Sequence, residues 1–149
     1  LLNNMLGGPG MNARLNVILR ERRGLVYSVE SSMVCYGDTG LWSVYFGCDP
    51  HDVNRCVRLV KGEFKRLMEK PLPEKTLAAA KRQIKGQLAV ACDNNENFAI
   101  DFGKSFLHFG DEKDIEKLYQ KIDAVTAEQI QQVAKEIFDK DSLATLVIK

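Results

Sequence analysis

The tetrapeptide Gly37-Asp38-Thr39-Gly40 limits what this chain can fold into more than any other feature. It separates two runs, 26–36 and 41–48, rich in β-branched and aromatic residues. A short glycine-flanked link between two such runs is a hairpin signal. With Asp38 and Thr39 at the tip, Tyr27, Val29, Met33 and Cys35 share a face with Trp42, Val44, Phe46 and Cys48. That apolar face is expected to meet the core, while Ser28, Glu30, Ser32 and Ser43 face water.

The rest of the chain has mainly helical periodicity. Leu1, Leu2, Met5 and Leu6 follow helical spacing until glycines 7, 8 and 10 break it. Met11, Leu15, Ile18 and Leu19 form the stripe of an amphipathic helix over about 11–22, with Gly24 as its C-cap. At 100° per residue, Arg20 points away from that stripe, on the side of Ala13 and Val17, toward solvent or a partner. Asp49-Pro50 opens the next helix in the N-cap and Pro-at-N1 pattern. That helix runs to about Glu69 and carries Val53, Cys56, Val57, Val60, Phe64, Leu67 and Met68 on one face.

A stiff connector, 70–75, leads into a long helix marked by Leu77, Ile84, Leu88 and Ala91. Residues 93–97 interrupt or kink it before a stretch with Phe98, Phe102, Phe106 and Phe109. A short helix is expected over 114–122. Thr126 and Gln129 form a capping box for a last helix through Ile130, Val133, Ala134, Ile137 and Phe138. Residues 142–148 read as a final strand. The expected architecture is α+β, in two layers, with a mainly antiparallel sheet and helices packed on one face. Three strands make a thin sheet, so further strands are expected upstream of Leu1. The opening, without an initiator methionine or a helix cap, marks the chain as a fragment or processed product of a larger two-domain protein.

At 149 residues the chain suffices for a single domain spanning 1–149. A formal net charge of +1, from 21 basic and 20 acidic side chains, argues against a nucleic-acid binder. Cys35, Cys48, Cys56 and Cys92 form no C-x-x-C pair and read as buried free thiols. Reduced thiols, with no signal or membrane-length apolar segment, favour the cytoplasm. His51 and His108 are far apart, and no H-x-x-E-H or Cys/His cluster exists, so no metal ligand is assigned. The run Gly8–Ala13 matches G-x-G-x-x-A only formally, because a helix precedes it and an antiparallel hairpin follows. No serine elbow is present, and Cys35 is expected to face the core, so no nucleophile triad forms.

The remaining feature is "ILRERRGLVYS", residues 18–28. Arg20, Arg22 and Arg23 close to a helix C-terminus oppose the negative end of its dipole. Alternatively, a forked donor and a phenol, Arg20 and Tyr27, hold a peptide carbonyl or a developing oxyanion. Spacing leaves both readings open.

The stretch "LLNNMLGGPGMNARLNVILRERRGLVYSVESS" resembles the second-domain motif of the insulinase/pitrilysin zinc peptidases, which include the mitochondrial processing peptidases. The hairpin and, more loosely, "LPEKTLAAAKRQIKGQL", "DNNENFAIDFGKSFLHFG" and "IDAVTAEQIQQVAKEIF" fit as well. The resemblance implies paired α+β domains enclosing a peptide chamber, with zinc held by H-x-x-E-H in another domain. It implies that Arg20 and Tyr27 bind substrate or stabilise the tetrahedral intermediate, and that this chain alone has no catalytic residues. The implied partners are a peptide substrate and a zinc-binding domain of the same or another chain, in a homo- or heterodimer, with no nucleic acid or membrane. A non-catalytic assembly or peptide-capture subunit of the same fold is the alternative.

Overall fold

The hairpin forms where the glycines place it. In the computed structural model, which describes residues 1–93, 95–110, 114–139, 141 and 143–148, β1 spans Val26–Cys35 and β2 spans Gly40–Cys48. The strands are antiparallel, with Cys35 opposite Gly40, Met33 opposite Trp42 and Ser31 opposite Val44. The Tyr36 amide closes the turn onto the Thr39 carbonyl at 2.8 Å. On the water-facing side Ser32 and Ser43 pair through their hydroxyls at 2.9 Å.

The described chain divides into two compact units, residues 1–73 with 127–149, and residues 74–126. The first contains the hairpin, helix α1 (Leu2–Gly7), a π-helix (Asn16–Glu21), a 3₁₀ turn (Pro50–Asp52), helix α2 (Val53–Glu69) and helix α6 (Ala127–Ile137). The second contains α3 (Glu74–Cys92), α4 (Asn95–Phe109) and α5 (Ile115–Ala124). The mixed architecture, with an antiparallel sheet and packed helices, is the α+β class expected from the sequence.

A two-stranded hairpin is marginal in water and needs a helical layer over one face. Here Trp42 supplies the contact. Its ring meets Phe64 of α2 edge-on at 5.4 Å and Phe138, just past α6, at 4.9 Å. Phe64 and Phe138 stack at 4.3 Å, and Phe138 is 1% exposed. Trp42 Nε1 also donates to Asn3 Oδ1 at 2.9 Å, tying α1 to the same strand. Trp42 is half-buried, and an indole N–H shielded from water in this way usually takes such a partner.

α1 lies against β1 so closely that Gly7 has no room for a side chain. A Cβ there would sit 2.5 Å from the Ser31 amide nitrogen. Ser31 is itself buried and donates through Oγ to the Asn3 carbonyl at 3.0 Å. α2 buries Cys56, Val60, Phe64 and Leu67, the face its apolar spacing marks.

Several elements differ from the sequence reading. Residues 11–13 are turns rather than helix, with the Ala13 amide on the Gly10 carbonyl at 2.9 Å. Met11 therefore falls off the stripe and is 69% exposed, while Ala13 is buried. Leu15 and Leu19 are fully buried as expected. Residues 143–148 form no strand, and the sheet of the described residues has two strands. An apolar run does not make a ladder without a neighbouring backbone to pair with, and Leu146 and Ile148 are exposed. Cys35 is exposed near the hairpin tip, beyond the reach of the helical layer, so it does not face the core.

In the second unit, α3 and α4 are separate helices, as residues 93–97 suggest. Asp114 caps α5 by accepting from the Lys117 amide at 3.1 Å. Lys85 pairs with Asp123 at 2.8 Å and lies over the Tyr119 ring. Phe98, Phe102 and Phe106 follow one another along α4 at 6.4 Å centroid spacing, and the Phe109 side chain lies outside the described residues.

Gly7→Ala should destabilise the fold by about 1–3 kcal/mol, the ordinary cost of overpacking. A lowered urea midpoint with an unchanged slope is the expected measurement.

Candidate substrate-contacting site

Arg20 and Tyr27 lie on two packed elements joined by a tight turn. The π-helix arises where the Arg22 amide reaches back five residues to the Val17 carbonyl at 3.0 Å. Single π-turns of this kind are frequent at functional sites. The turn closes with the Gly24 amide on the Arg20 carbonyl and the Leu25 amide on the Leu19 carbonyl. Gly24 has φ +59°, a left-handed conformation that only glycine takes at little cost. Arg23 Nη1 donates to the Ile18 carbonyl at 2.9 Å, so Arg23 serves the helix end as the dipole argument expects.

Arg20 faces solvent, as its position opposite the buried leucines requires. Its side chain is 50% exposed, and Nε has only a loose approach to Glu21 Oε1, at 3.9 Å. Tyr27 is 90% exposed, which corrects the expectation that it joins the apolar face. The cause is a β-bulge. Val26 opposes Cys48 and Val29 opposes Phe46, so three steps on β1 match two on β2. The extra residue shifts the alternation, keeping Val26 buried and turning Tyr27 outward. Among the described residues the Tyr27 hydroxyl has no hydrogen-bond partner. A guanidinium and a phenol are thus both exposed to solvent.

Glu63 is a charged residue that the sequence reading passed over. It is 3% exposed on the apolar face of α2. Arg14 Nη1 donates to its Oε1, and Arg66 Nη1 donates to Oε2 at 3.0 Å. The signal was there: Glu63 falls in step with Cys56, Val60 and Leu67 at helical spacing. A carboxylate on such a stripe needs a cationic partner. Asn16 was missed for a similar reason; it is buried and donates through Nδ2 to the Met11 carbonyl at 3.0 Å.

Among the described residues, one grouping, Asp49, His51 and Asp52, has three possible metal donors within 4.8 Å of one another. It is largely exposed and has a single imidazole, and Asp52 already faces His51 at 3.1 Å and Arg55 at 3.8 Å. That donor set does not fit the His-rich, carboxylate-backed centre of a zinc hydrolase. H-x-x-E-H is absent from the sequence. No zinc-dependent step is assigned to these residues. Burial, and then the neighbouring Cys48, push the Cys56 thiol up to about 11.

These features define an α+β domain with an exposed guanidinium and an exposed phenol on neighbouring elements. The chain belongs to the Peptidase M16 inactive-domain family, whose model matches residues 1–84. It is 31% identical over 140 residues to an uncharacterized zinc protease of Streptomyces coelicolor, covering 94% of this chain and 30% of that protein. It is 32% identical over 142 residues to the mitochondrial-processing peptidase subunit beta of Bos taurus, covering 94% and 29%. A conserved protein from Enterococcus faecalis shares the fold with TM-score 0.74 and 26% identity over 90% of this chain and 31% of that one. A peptidase M16 inactive domain from Pseudomonas fluorescens does so with TM-score 0.77 and 24% identity, over 90% and 32%. The chain thus spans about a third of the length of the curated relatives it matches.

Glu63→Ala leaves Arg14 without its carboxylate and should cost about 2–3 kcal/mol in urea unfolding. The raised Cys56 pKa means that folding favours the protonated thiol. That contribution is complete at neutral pH and is lost as pH rises from the ordinary thiol range of about 8.5 through about 11. At pH 8 a disulfide reagent should label Cys35 quickly and Cys56 only on unfolding.

Proposed function

We propose that the chain is the substrate-binding, non-zinc-ligating domain of a zinc-dependent endopeptidase acting on peptides. In this reading the 149 residues act as one domain of a larger enzyme, whose zinc is held by another domain of the same or a partner chain. The observation that carries it is the pairing of two backbone irregularities with two solvent-exposed donors. The π-helix precedes the Gly24 turn and carries Arg20. The bulge follows it and turns Tyr27 outward. Neither side chain contributes to the buried core, so a packing role does not account for their placement. Membership of a family described as peptidase inactive domains, with zinc proteases among the relatives, supports the same reading.

The chemistry follows from the side chains. A guanidinium donates in a planar fork that matches a carbonyl oxygen or an oxyanion. A phenol donates once along a fixed direction. Arg20 and Tyr27 would grip the substrate carbonyl and strengthen their hydrogen bonds as negative charge develops on its oxygen. Such differential binding raises the rate of the chemical step instead of merely tightening substrate binding. The isolated chain is expected to bind peptide weakly and to cleave nothing.

The test uses the full-length enzyme containing this domain and a quenched fluorogenic peptide. Arg20→Ala and Tyr27→Phe should each lower kcat/KM by roughly tenfold to a thousandfold, the range for an oxyanion donor. Thermal stability should be unchanged, because both side chains are exposed. Wild-type turnover in both variants would reject the assigned roles. If the full-length protein neither cleaves nor contains zinc, the domain serves peptide capture or assembly instead.

A further inference from the structure

A cavity of about 130 Å³ lies between the π-helix and α2. Arg22, Arg23, Arg58 and Arg66 line it, with Ile18 and Leu59 as its apolar wall. No acidic side chain lines it. Of the four guanidiniums, Arg23 donates through Nη1 to the Ile18 carbonyl, and Arg66 donates through Nη1 to Glu63. Each retains further N–H groups, because a guanidinium has five. Arg22 and Arg58 have no partner among the described residues. The nearby carboxylate, Glu63, is already held by Arg14 as well as Arg66.

The overall charge balance conceals this concentration. Residues 14–23 and 53–69 together hold nine basic and three acidic side chains, in a chain of net charge +1. The packing of the π-helix against α2 brings the two basic segments together. Guanidiniums that line one small cavity repel one another, and an anion that bridges them relieves the repulsion. A small concave space with forked donors on several sides suits a compact tetrahedral oxyanion.

We propose that this cavity is an oxyanion-binding site for a phosphate group, taken either as the free ion or as a phosphoryl group on a larger ligand. Arg22 and Arg58 supply the unpaired charge, while Arg23 and Arg66 add donors already oriented by their own hydrogen bonds. Arg20 does not line the cavity, so the site is independent of the Arg20 and Tyr27 reading, and each can fail without the other.

The experiment is titration of the 149-residue chain with inorganic phosphate and, separately, with O-phosphoserine, followed through the arginine Nε–Hε NMR signals at constant ionic strength. Saturable shifts at Arg22 and Arg58 are expected. The double variant Arg22→Gln/Arg58→Gln should weaken binding about tenfold or more. Lys61→Gln/Lys65→Gln removes the same charge from α2 residues that do not line the cavity and should leave the affinity within about twofold. Tighter binding of O-phosphoserine would assign the site to a phosphoryl group on a carrier; equal or weaker binding would assign it to the free ion. Shifts reproduced by chloride, or equal losses in the two double variants, would overturn the proposal.

Discussion

The first unit depends on one side chain, Trp42. Its ring contacts Phe64 from α2 and Phe138 at the end of α6, and its indole N–H reaches Asn3 of α1. Two strands alone bury too little to stand in water. By meeting aromatic rings from two helices and a side chain from a third, Trp42 holds the hairpin within a helical layer. The position of β1 follows from that of β2, and α1 can lie on β1 only because Gly7 has no side chain. The candidate site is thus built on a strand whose place is settled by contacts on the neighbouring strand.

That scaffold explains why backbone irregularities can persist beside the site. A π-turn has one residue more per turn than an α-helix, and a bulge adds one unpaired residue to a strand. Both interrupt the regular hydrogen-bond pattern locally, and surrounding packing holds them in place. Here the π-helix is anchored by fully buried Leu15 and Leu19, and the bulge is flanked by buried Val26 and Ser31. The segment between them is short and turns at Gly24, so the two irregularities act on neighbouring pieces of surface. Regular geometry at either place would turn a different side chain outward.

Electrostatics are organised by the same packing. Glu63 balances Arg14 and Arg66 from inside the apolar face of α2, a position that periodicity marks as core. The neighbouring guanidiniums of Arg22 and Arg58 are left uncompensated at the surface. A net charge near zero says nothing about such segregation, because it sums over the chain and not over the surface.

The sequence by itself determined the hairpin and its turn, the length and buried face of α2, the Gly24 stop, and Arg20 as an outward residue. Each of these rests on local spacing: period two, period 3.6, or a glycine where the backbone needs positive φ. Only the tertiary structure decided that Tyr27 faces water, that Met11 leaves the stripe, that 143–148 form no strand, and that four arginines from two segments line one cavity. A bulge is invisible to strict alternation, because the inserted residue is identified only by its partner strand. A strand needs a ladder, and a cavity needs two elements side by side. These are relations between distant parts of the chain, and no window of neighbouring residues contains them.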